Sequence, residues 1–361
     1  MQRLAFTALF GAATLATAVP PDRMAEFDAF QKSFAAIEGP VKKASDDRPF
    51  DLAKRDALDK LHDEYAAKAF DFAKRAPADA SAAVAAAWAA RHSIDDSPRF
   101  AEIARFLRDH QFGNPATVDA FNALSFDAEG RKFLAETLAK ATDRTARGRA
   151  CEGLARYELR GMRDPKAPAA ERDAHARKAE EYLERLIREF DTVKTKFRGV
   201  PIGEADFAQA GLFQVRTLGV GKPAPEAASI DLDGKPVKLT DLRGKVVLLS
   251  FWATWCPPCR KLVPFERELN KRYADKPFAL VSVSCDEDRS DVVGFVKKHD
   301  MSWTHWYSGP AGLHLAWGAT SIPTLYLVDA KGVIRFASSG EEGEEKELAK
   351  AVEAVVAETK R

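Results

Sequence analysis

The strongest constraint on the fold of this chain is a continuous apolar run from Lys245 to Trp252, which leads directly into a short turn and a helical segment. A strand that is apolar on both of its alternating faces is typical of the buried centre of a sheet. The residues from Arg260 to Tyr273 then show helical spacing, and Phe278 to Ser284 is again a strand. This order of strand, helix and strand predicts a sheet with helices packed on its faces.

The same alternation continues to the end of the chain. Asp233 and Gly234 lie between two short apolar stretches, which predicts a hairpin turn because glycine tolerates positive φ. The later elements are predicted as a helix at Asp288 to His299, strands at Thr324 to Val328 and Val333 to Ala337, and a closing helix at Glu344 to Ala357. The C-terminal part is therefore expected to be an α/β domain with a mixed central sheet and helices on both faces.

The residues from about Met24 to Thr217 have a different pattern. They are rich in Ala, Arg, Asp and Glu, and their apolar residues recur at helical spacing. One amphipathic stripe is formed by Ala179, Tyr182, Leu183, Leu186, Ile187 and Phe190. We expect this helix to pair with Ala146 to Met162 as a hairpin that resembles tetratricopeptide repeats, although no fixed repeat period is present. Other helices are predicted near Arg23 to Glu38, Asp51 to Arg75, Ala78 to Arg91, Arg99 to Asp109 and Ala128 to Lys140.

Length and composition suggest how the chain is divided. A chain of 361 residues exceeds the usual size of one core, and Gly and Pro accumulate in "RTLGVGKPAPEAAS", where the helical pattern stops. We predict an all-helical domain over residues 19–217 and an α/β domain over residues 218–361. The formal net charge of +1 does not indicate the excess of basic residues that is typical of nucleic-acid-binding proteins.

The N-terminus has the composition of a secretory signal. Arg3 supplies a positive charge, Leu4 to Leu15 is apolar, and Ala16-Thr17-Ala18 is a small-x-small cleavage pattern. We predict removal of residues 1–18 and export, in bacteria to the periplasm. The alternative is an uncleaved membrane anchor, for which Leu4 to Val19 falls short of the roughly 20 apolar residues that a spanning helix needs.

Two of the four cysteines, Cys256 and Cys259, lie between the central strand and the next helix in "FWATWCPPCR". Ligands of open α/β sheets bind beyond the carboxyl ends of strands, so this position favours a functional site. A thiolate at Cys256 would be stabilised by the first turn of the helix, and Cys259 is expected to be more buried and less reactive. A zinc site would require a second ligand pair, which neither Cys151 nor Cys285 provides.

A structural disulfide would close too short a loop to contribute much stability. Redox chemistry is therefore favoured, with the Cys256–Cys259 dithiol as the redox group and no other cofactor or metal. Cys151 is expected to be a small buried residue, with a disulfide as the alternative. Cys285 is expected to be a partly buried thiol, with exchange with the dithiol as the alternative.

The segment from about Gly221 to Glu358 resembles the thioredoxin-like, exported thiol-disulfide oxidoreductases of the TlpA/ResA type. The resemblance rests on "FWATWCPPC", on the entry segment "GKPAPEAASIDLDGKPVKLTDLRGKVVLLSFW", on "ATSIPTLYLVDAKGVI" and on the closing helix. It implies catalytic roles for Cys256 and Cys259, and a cis peptide bond before Pro323 that lies against the dithiol. It also implies that the backbone of Ile322 and Thr324 pairs with an extended substrate segment.

The sequence departs from this resemblance at two positions. Thioredoxins often bury an aspartate where this chain has Ser250, and many cytochrome-maturation relatives have a glutamate where it has Leu262. The usual proton acceptor for Cys259 is therefore missing. Asp286 and Glu287 follow a strand on the same side of the sheet and are the nearest substitutes, the alternative being two solvated carboxylates in a loop.

The residues around the cysteines indicate the direction of electron flow and the partners of the protein. Pro257 and Pro258 have no N–H to offer Cys256, so its thiolate is less stabilised and the couple is more reducing. Trp255 is expected to provide an apolar docking surface for substrate. We predict a protein thiol-disulfide reductase whose partners are exported proteins with disulfides or thiols and an upstream dithiol electron donor. Nucleic acid is not expected as a partner, and membrane contact only through an uncleaved signal.

Two other functions are alternatives to a thiol-disulfide reductase. A thiol peroxidase would resemble P-x-x-x-[ST]-x-x-C, but Leu249 and Ala253 occupy the Pro and Ser/Thr positions here. A scaffolding or binding protein would act through its helical domain and carry a dithiol without a catalytic role. Reduction of insulin distinguishes an enzyme from a scaffold.

Overall fold

The computed structural model describes residues 21–46, 52–93, 97–197, 200–309, 312–319, 322–340 and 343–359. The predicted signal peptide, residues 1–18, lies outside these ranges. By its internal contacts the chain divides into two compact units, one up to Ala123 and one from Leu124 onward. This division falls well before the predicted domain boundary at residues 217 and 218, because four helices and a β-hairpin share the second unit with the sheet.

The first unit is helical. Its core is aromatic, and Trp88 of α3 packs edge-on against Phe27 and Phe34 of α1. The side chain of Asp79 accepts the N–H of Ser81 and so begins α3. The helices are α1 (Pro21–Asp46), α2 (Leu52–Arg75), α3 (Ala80–His92) and α4 (Arg99–His110), followed by a 3₁₀ turn (Pro115–Ala120) and the short α5 (Phe121–Leu124) at the division.

The second unit begins with helices that include the predicted helical hairpin. Its first elements are α6 (Ala128–Lys140), α7 (Arg144–Gly161), α8 (Ala169–Phe190), β1 (Lys194–Phe197), β2 (Val200–Gly203) and α9 (Glu204–Thr217). Asp127 and Asp143 cap α6 and α7 through their carboxylates. A Cβ at Gly161 would lie 2.6 Å from the ring of His175, so glycine permits the close approach of α7 and α8. The antiparallel β1–β2 hairpin was not predicted.

The rest of the second unit is the expected α/β fold, a seven-stranded mixed sheet in the order β4-β3-β7-β6-β5-β8-β9. Strands β5, β6 and β7 are parallel, and β8 runs antiparallel to β5. The elements are β3 (Ala228–Asp231), β4 (Pro236–Lys238), β5 (Val246–Trp252), α10 (Pro257–Arg272), β6 (Phe278–Ser284), α11 (Arg289–Lys298), β7 (Thr304–Tyr307), α12 (Leu313–Ala316), β8 (Thr324–Val328), β9 (Ile334–Ser338) and α13 (Glu345–Glu358).

Strand β5 lies near the centre of the sheet, and all seven of its residues are buried. Leu248 and Trp252 face the core that contains α10, α11 and α13. Leu249 and Phe251 face the opposite core, which contains Trp317. The apolar run in the sequence therefore corresponds to a strand covered on both faces.

One detail of the sheet agrees with the prediction from the sequence, and one does not. Gly234 has φ +90 in the turn between β3 and β4, as the Asp-Gly pair predicted. Strand β7 was missed, because its four residues are too short to give a clear period and include the buried ring of His305.

Helix α9 is joined closely to the sheet within the second unit. The side chain of Gln214 is fully buried and donates a hydrogen bond to the carbonyl oxygen of Gly318. Leu218 and Phe213 pack on the core that lies opposite α10. No helix in the described ranges combines the length and apolar composition needed to cross a membrane.

We expect Gln214→Ala to lower the melting temperature of the full chain by about 2–12 °C. The reason is that removing a buried hydrogen-bond partner costs about 1–3 kcal/mol, and each kcal/mol corresponds to about 2–4 °C in a domain of this size. The matched control is Gln209→Ala, because Gln209 is exposed on the same helix. Equal melting temperatures for the two variants in thermal unfolding would show that α9 does not stabilise the sheet.

Candidate active site

The first cysteine of the pair begins helix α10. Cys256 is the N-cap residue, with φ −88 and ψ 107, and its Sγ accepts the N–H of Cys259 at 3.2 Å. Pro257 and Pro258 fill the first two helical positions, where a backbone N–H would have no partner within the helix. The N–H of Cys259 is therefore the first one of the helix that can reach the sulfur, because the two prolines, as expected from the sequence, have no N–H to offer.

The two cysteines form a disulfide, with their Cα atoms 5.3 Å apart. The expected difference in burial is absent, because each cysteine is 3% exposed in this oxidised form. Both belong to the core cluster on the α10 side of the sheet. Next to them Trp255 is 40% exposed, Pro258 is exposed and Pro257 is half-buried.

The loop before β8 covers the disulfide. The peptide bond between Ile322 and Pro323 is cis, as predicted, and the carbonyl oxygen of Ile322 lies 3.7 Å from Sγ of Cys256. Thr324 is buried at the start of β8, where it pairs with Phe251 of β5. Gly340 has φ +65, and a Cβ there would lie 2.6 Å from the ring of Pro323, so a side chain would displace the loop.

A buried carboxylate fixes the turn that precedes the dithiol. Asp286 is buried after β6 and accepts the N–H of Thr254 at 3.1 Å and the Thr254 hydroxyl at 2.6 Å. The hydroxyl of Ser284 donates to the same carboxylate at 2.7 Å. Asp286 is thus not a solvated carboxylate, and its oxygens are already engaged by the turn, whereas Glu287 is exposed.

The remaining cysteines lie outside any disulfide. Cys151 is fully buried in α7, and its Sγ lies 3.4 Å from the carbonyl oxygen of Tyr182. Cys285 is also buried, and its N–H donates to the carbonyl oxygen of Trp252 at 2.9 Å. Both thiols are therefore part of the packed interior, as favoured from the sequence for Cys151.

Two ionisable groups on the dithiol side of the sheet have strongly shifted pKa values. Burial raises the pKa of Glu266 to about 7, against a smaller lowering by its hydrogen bond with Ser250. Burial lowers the pKa of His305 to about 4, so this ring is neutral near pH 7. Glu266 was not predicted from the sequence, although a charged residue between Val263 and Leu269 on an apolar helix face was a usable signal.

Within the described parts of the chain, no group of three or more His, Cys, Asp or Glu side chains is placed to hold a metal ion. The predicted site residues, in contrast, meet at one end of β5. The cysteines follow this strand directly, and the cis-proline loop leads into its neighbour β8. This arrangement suits exchange between a dithiol and a disulfide that approaches from outside the sheet.

Comparisons with known proteins agree with this chemistry. The Redoxin family profile matches residues 219–355. The thiol-disulfide oxidoreductase ResA of Bacillus thuringiensis subsp. konkukian is 34% identical over 126 residues, which cover 35% of this chain and 73% of ResA. The chain belongs to the thioredoxin-like thiol-disulfide oxidoreductases of the TlpA/ResA type. The thioredoxin-like protein YneN of Bacillus subtilis is 38% identical over 118 residues, covering 32% of this chain and 68% of YneN.

Among solved structures, the thioredoxin domain of a thiol-disulfide oxidoreductase from Bacteroides vulgatus aligns with 39% of this chain and with 99% of its own length. Its sequence identity is 28% and its TM-score is 0.35. The residues matched by the Redoxin family, 219–355, include the seven-stranded sheet and the dithiol. The chain is thus a thiol-disulfide oxidoreductase by its family as well as by its site.

We expect Asp286→Ala to lower the melting temperature by about 5 °C or more and to slow insulin reduction several-fold. The substitution leaves the buried N–H and hydroxyl of Thr254 without their acceptor, which costs about 1–3 kcal/mol and loosens the turn before Cys256. Thermal unfolding and an insulin turbidity assay measure the two effects. The control is Glu287→Ala, and an unchanged rate in a destabilised Asp286 variant would limit Asp286 to a role in stability.

Proposed function

We propose that this oxidoreductase is an exported protein disulfide reductase that works through the Cys256–Cys259 dithiol. The observation that carries the proposal is the position of Cys256 at the N-cap of α10, bonded to Cys259 and in contact with the cis-proline loop. Export is supported by the N-terminal sequence, in which Leu4 to Leu15 is followed by Ala16-Thr17-Ala18.

The reaction follows from the order of the two sulfurs. In the reduced protein, the thiolate of Cys256 attacks a substrate disulfide, forms a mixed disulfide and releases the first substrate thiolate. The thiolate of Cys259 then attacks Sγ of Cys256, which forms the internal disulfide and releases the second substrate thiolate. Two electrons pass from the protein to the substrate, and an upstream dithiol donor restores the reduced protein by the reverse exchange.

The surfaces around the disulfide supply substrate contacts in this proposal. The backbone of Ile322 and Thr324, on either side of Pro323, pairs with an extended substrate segment. Trp255 offers an exposed apolar ring beside the nucleophile, with Pro257 and Pro258 at its side. An aromatic ring with one exposed face is suited to contact with an unfolded or extended polypeptide.

The direction of electron flow is argued from the helix terminus. A thiolate at Cys256 receives one local N–H, that of Cys259, because both intervening residues are prolines. Fewer hydrogen bonds to the thiolate stabilise the reduced form less, and a less stable reduced form corresponds to a more reducing couple. The N-terminal dipole of α10 offsets part of this effect.

The helical part of the chain is assigned a role in partner choice. Helix α9 holds the Gly318 carbonyl oxygen through Gln214, a few residues before the cis-proline loop. A partner that contacts α9 is thus connected to the substrate-binding loop by one buried hydrogen bond. A pure scaffold is disfavoured, since it would not need a dithiol held at a helix terminus and covered by this loop.

Trapping of mixed disulfides tests the proposal. In Cys259→Ser the nucleophile remains but the resolving thiol is lost, so we expect covalent complexes with exported proteins that dissociate under reductant. In Cys256→Ser we expect at least about fivefold fewer, because Cys259 lies one turn inside the helix. The double variant is the control, and mass spectrometry identifies the trapped proteins.

Equal trapping by both single variants would contradict the assigned order of attack. Trapping by neither, together with no insulin reduction by the full chain, would favour the scaffold. Complexes with proteins that are not exported would contradict the proposed compartment.

A further inference from the structure

One carboxyl group lies on the inward face of the active-site helix. The buried residues of α10 are Cys259, Arg260, Leu262, Val263, Glu266 and Leu269. Glu266 is 4% exposed and is the only acidic member of this set. A buried carboxyl without a cationic partner is costly, so its presence where an apolar side chain would pack calls for an explanation.

The surroundings of Glu266 leave half of its hydrogen-bonding capacity unused. One contact is a hydrogen bond with the side chain of Ser250, on the neighbouring strand β5. Its Oε1 atom is buried and has no hydrogen-bond partner among the described residues. A carboxyl that served packing alone would be expected to have both oxygens satisfied.

Glu266 is directed toward the dithiol by the geometry of the helix. Cys259 and Glu266 are seven residues apart on one buried face, which corresponds to two turns and roughly 10 Å along the axis. Side chains of a helix point toward its N-terminus, so the Glu266 carboxyl extends back toward Cys259. Ser250 alternates with Leu248 and Trp252 on the side of β5 that faces the dithiol.

We propose that Glu266 is the internal proton acceptor for Cys259, reached through bridging water. When a substrate is held on Cys256 as a mixed disulfide, the Cys259 thiol gives its proton to the Glu266 carboxylate. The resulting Cys259 thiolate attacks Sγ of Cys256, the internal disulfide forms, and the substrate sulfur leaves as a thiolate. The neutral Glu266 returns its proton to solvent, so protons and electrons balance. This assignment rests on the proposed order of attack.

The electrostatics support this role. Burial raises the pKa of Glu266 to about 7, which is suited to a group that accepts and returns protons near neutral pH. The hydrogen bond with Ser250 is the opposing influence on this pKa. Other buried ionisable side chains on this side of the sheet are Asp286 after β6, Arg260 of α10, Tyr273 directly after α10, His305 of β7 and Glu344 before α13.

The sign of the pH dependence follows directly. Above about pH 7 Glu266 is ionised and can accept the proton, whereas below about pH 7 it is neutral and cannot. The resolving step is therefore expected to slow as the pH falls through this value. Without Glu266, the step depends on direct deprotonation of the Cys259 thiol by solvent, and an unperturbed cysteine ionises only at about pH 8.5.

The two steps can be measured separately with 5,5′-dithiobis(2-nitrobenzoate) as a small disulfide substrate. With reduced full-length protein in excess, attack by Cys256 releases the first coloured thiolate, and attack by Cys259 releases the second. Stopped-flow absorbance from pH 5.5 to 9.5 then gives a rate profile for each step. The test variant is Glu266→Gln, and the control is Glu268→Gln, because Glu268 is exposed on the same helix.

We expect Glu266→Gln to slow the second release about tenfold or more near pH 7.5 and to abolish its inflection near pH 7. The first release stays unchanged, and the two proteins converge above about pH 9, where hydroxide deprotonates Cys259. Glu268→Gln follows the wild type throughout. If Glu266→Gln does not fold, Glu266→Leu, which matches the apolar face, is measured in its place with the same expectation.

A second release with the wild-type pH profile in either folded variant overturns the assignment and makes Glu266 a packing residue. Failure of the proposed order of attack gives a different result. In that case Cys256→Ser would still release the first thiolate at the wild-type rate, whatever residue is at position 266.

Discussion

The burial of β5 on both faces is the constraint on which the site depends. All seven residues of this strand are buried. The chain leaves the sheet at the carboxyl end of the strand, where Cys256 begins α10. The flanking strands deliver their own groups to the same end. Strand β8 begins at Thr324 beside the cis-proline loop, and β6 is followed by Asp286. The dithiol, the loop and the carboxylate therefore meet because one central strand fixes all three.

Two buried carboxylates near the dithiol have opposite surroundings, and this difference separates their roles. Asp286 accepts hydrogen bonds from Thr254 and Ser284 and so is committed to holding the turn. Glu266 has one partner, Ser250, and one oxygen without any among the described residues. A fully satisfied carboxylate stabilises one conformation, whereas a partly satisfied and desolvated one is free to exchange a proton.

Much of the α/β fold could be predicted from the sequence, since its elements have strong periods. Strands β6 and β8 match their predicted ranges, and the dithiol is found at the predicted strand end. Strand β7 and the β1–β2 hairpin were missed because four-residue strands carry little periodic signal. The close association of α9 with the sheet depends on Gln214, whose burial no local pattern indicates. Glu266 was overlooked because the helix period alone does not show whether a charged residue within an apolar face is buried.

The central claim is that Cys256 and Cys259 form a reducing two-electron couple. The most direct measurement is an equilibrium redox titration of the full chain in dithiothreitol buffers, followed by alkylation and mass spectrometry of all four cysteines. The account predicts that Cys256 and Cys259 change state together, with a midpoint below about −220 mV, while Cys151 and Cys285 stay reduced. A midpoint near −120 mV, about that of a strong oxidant, or a pair that never changes state would contradict it.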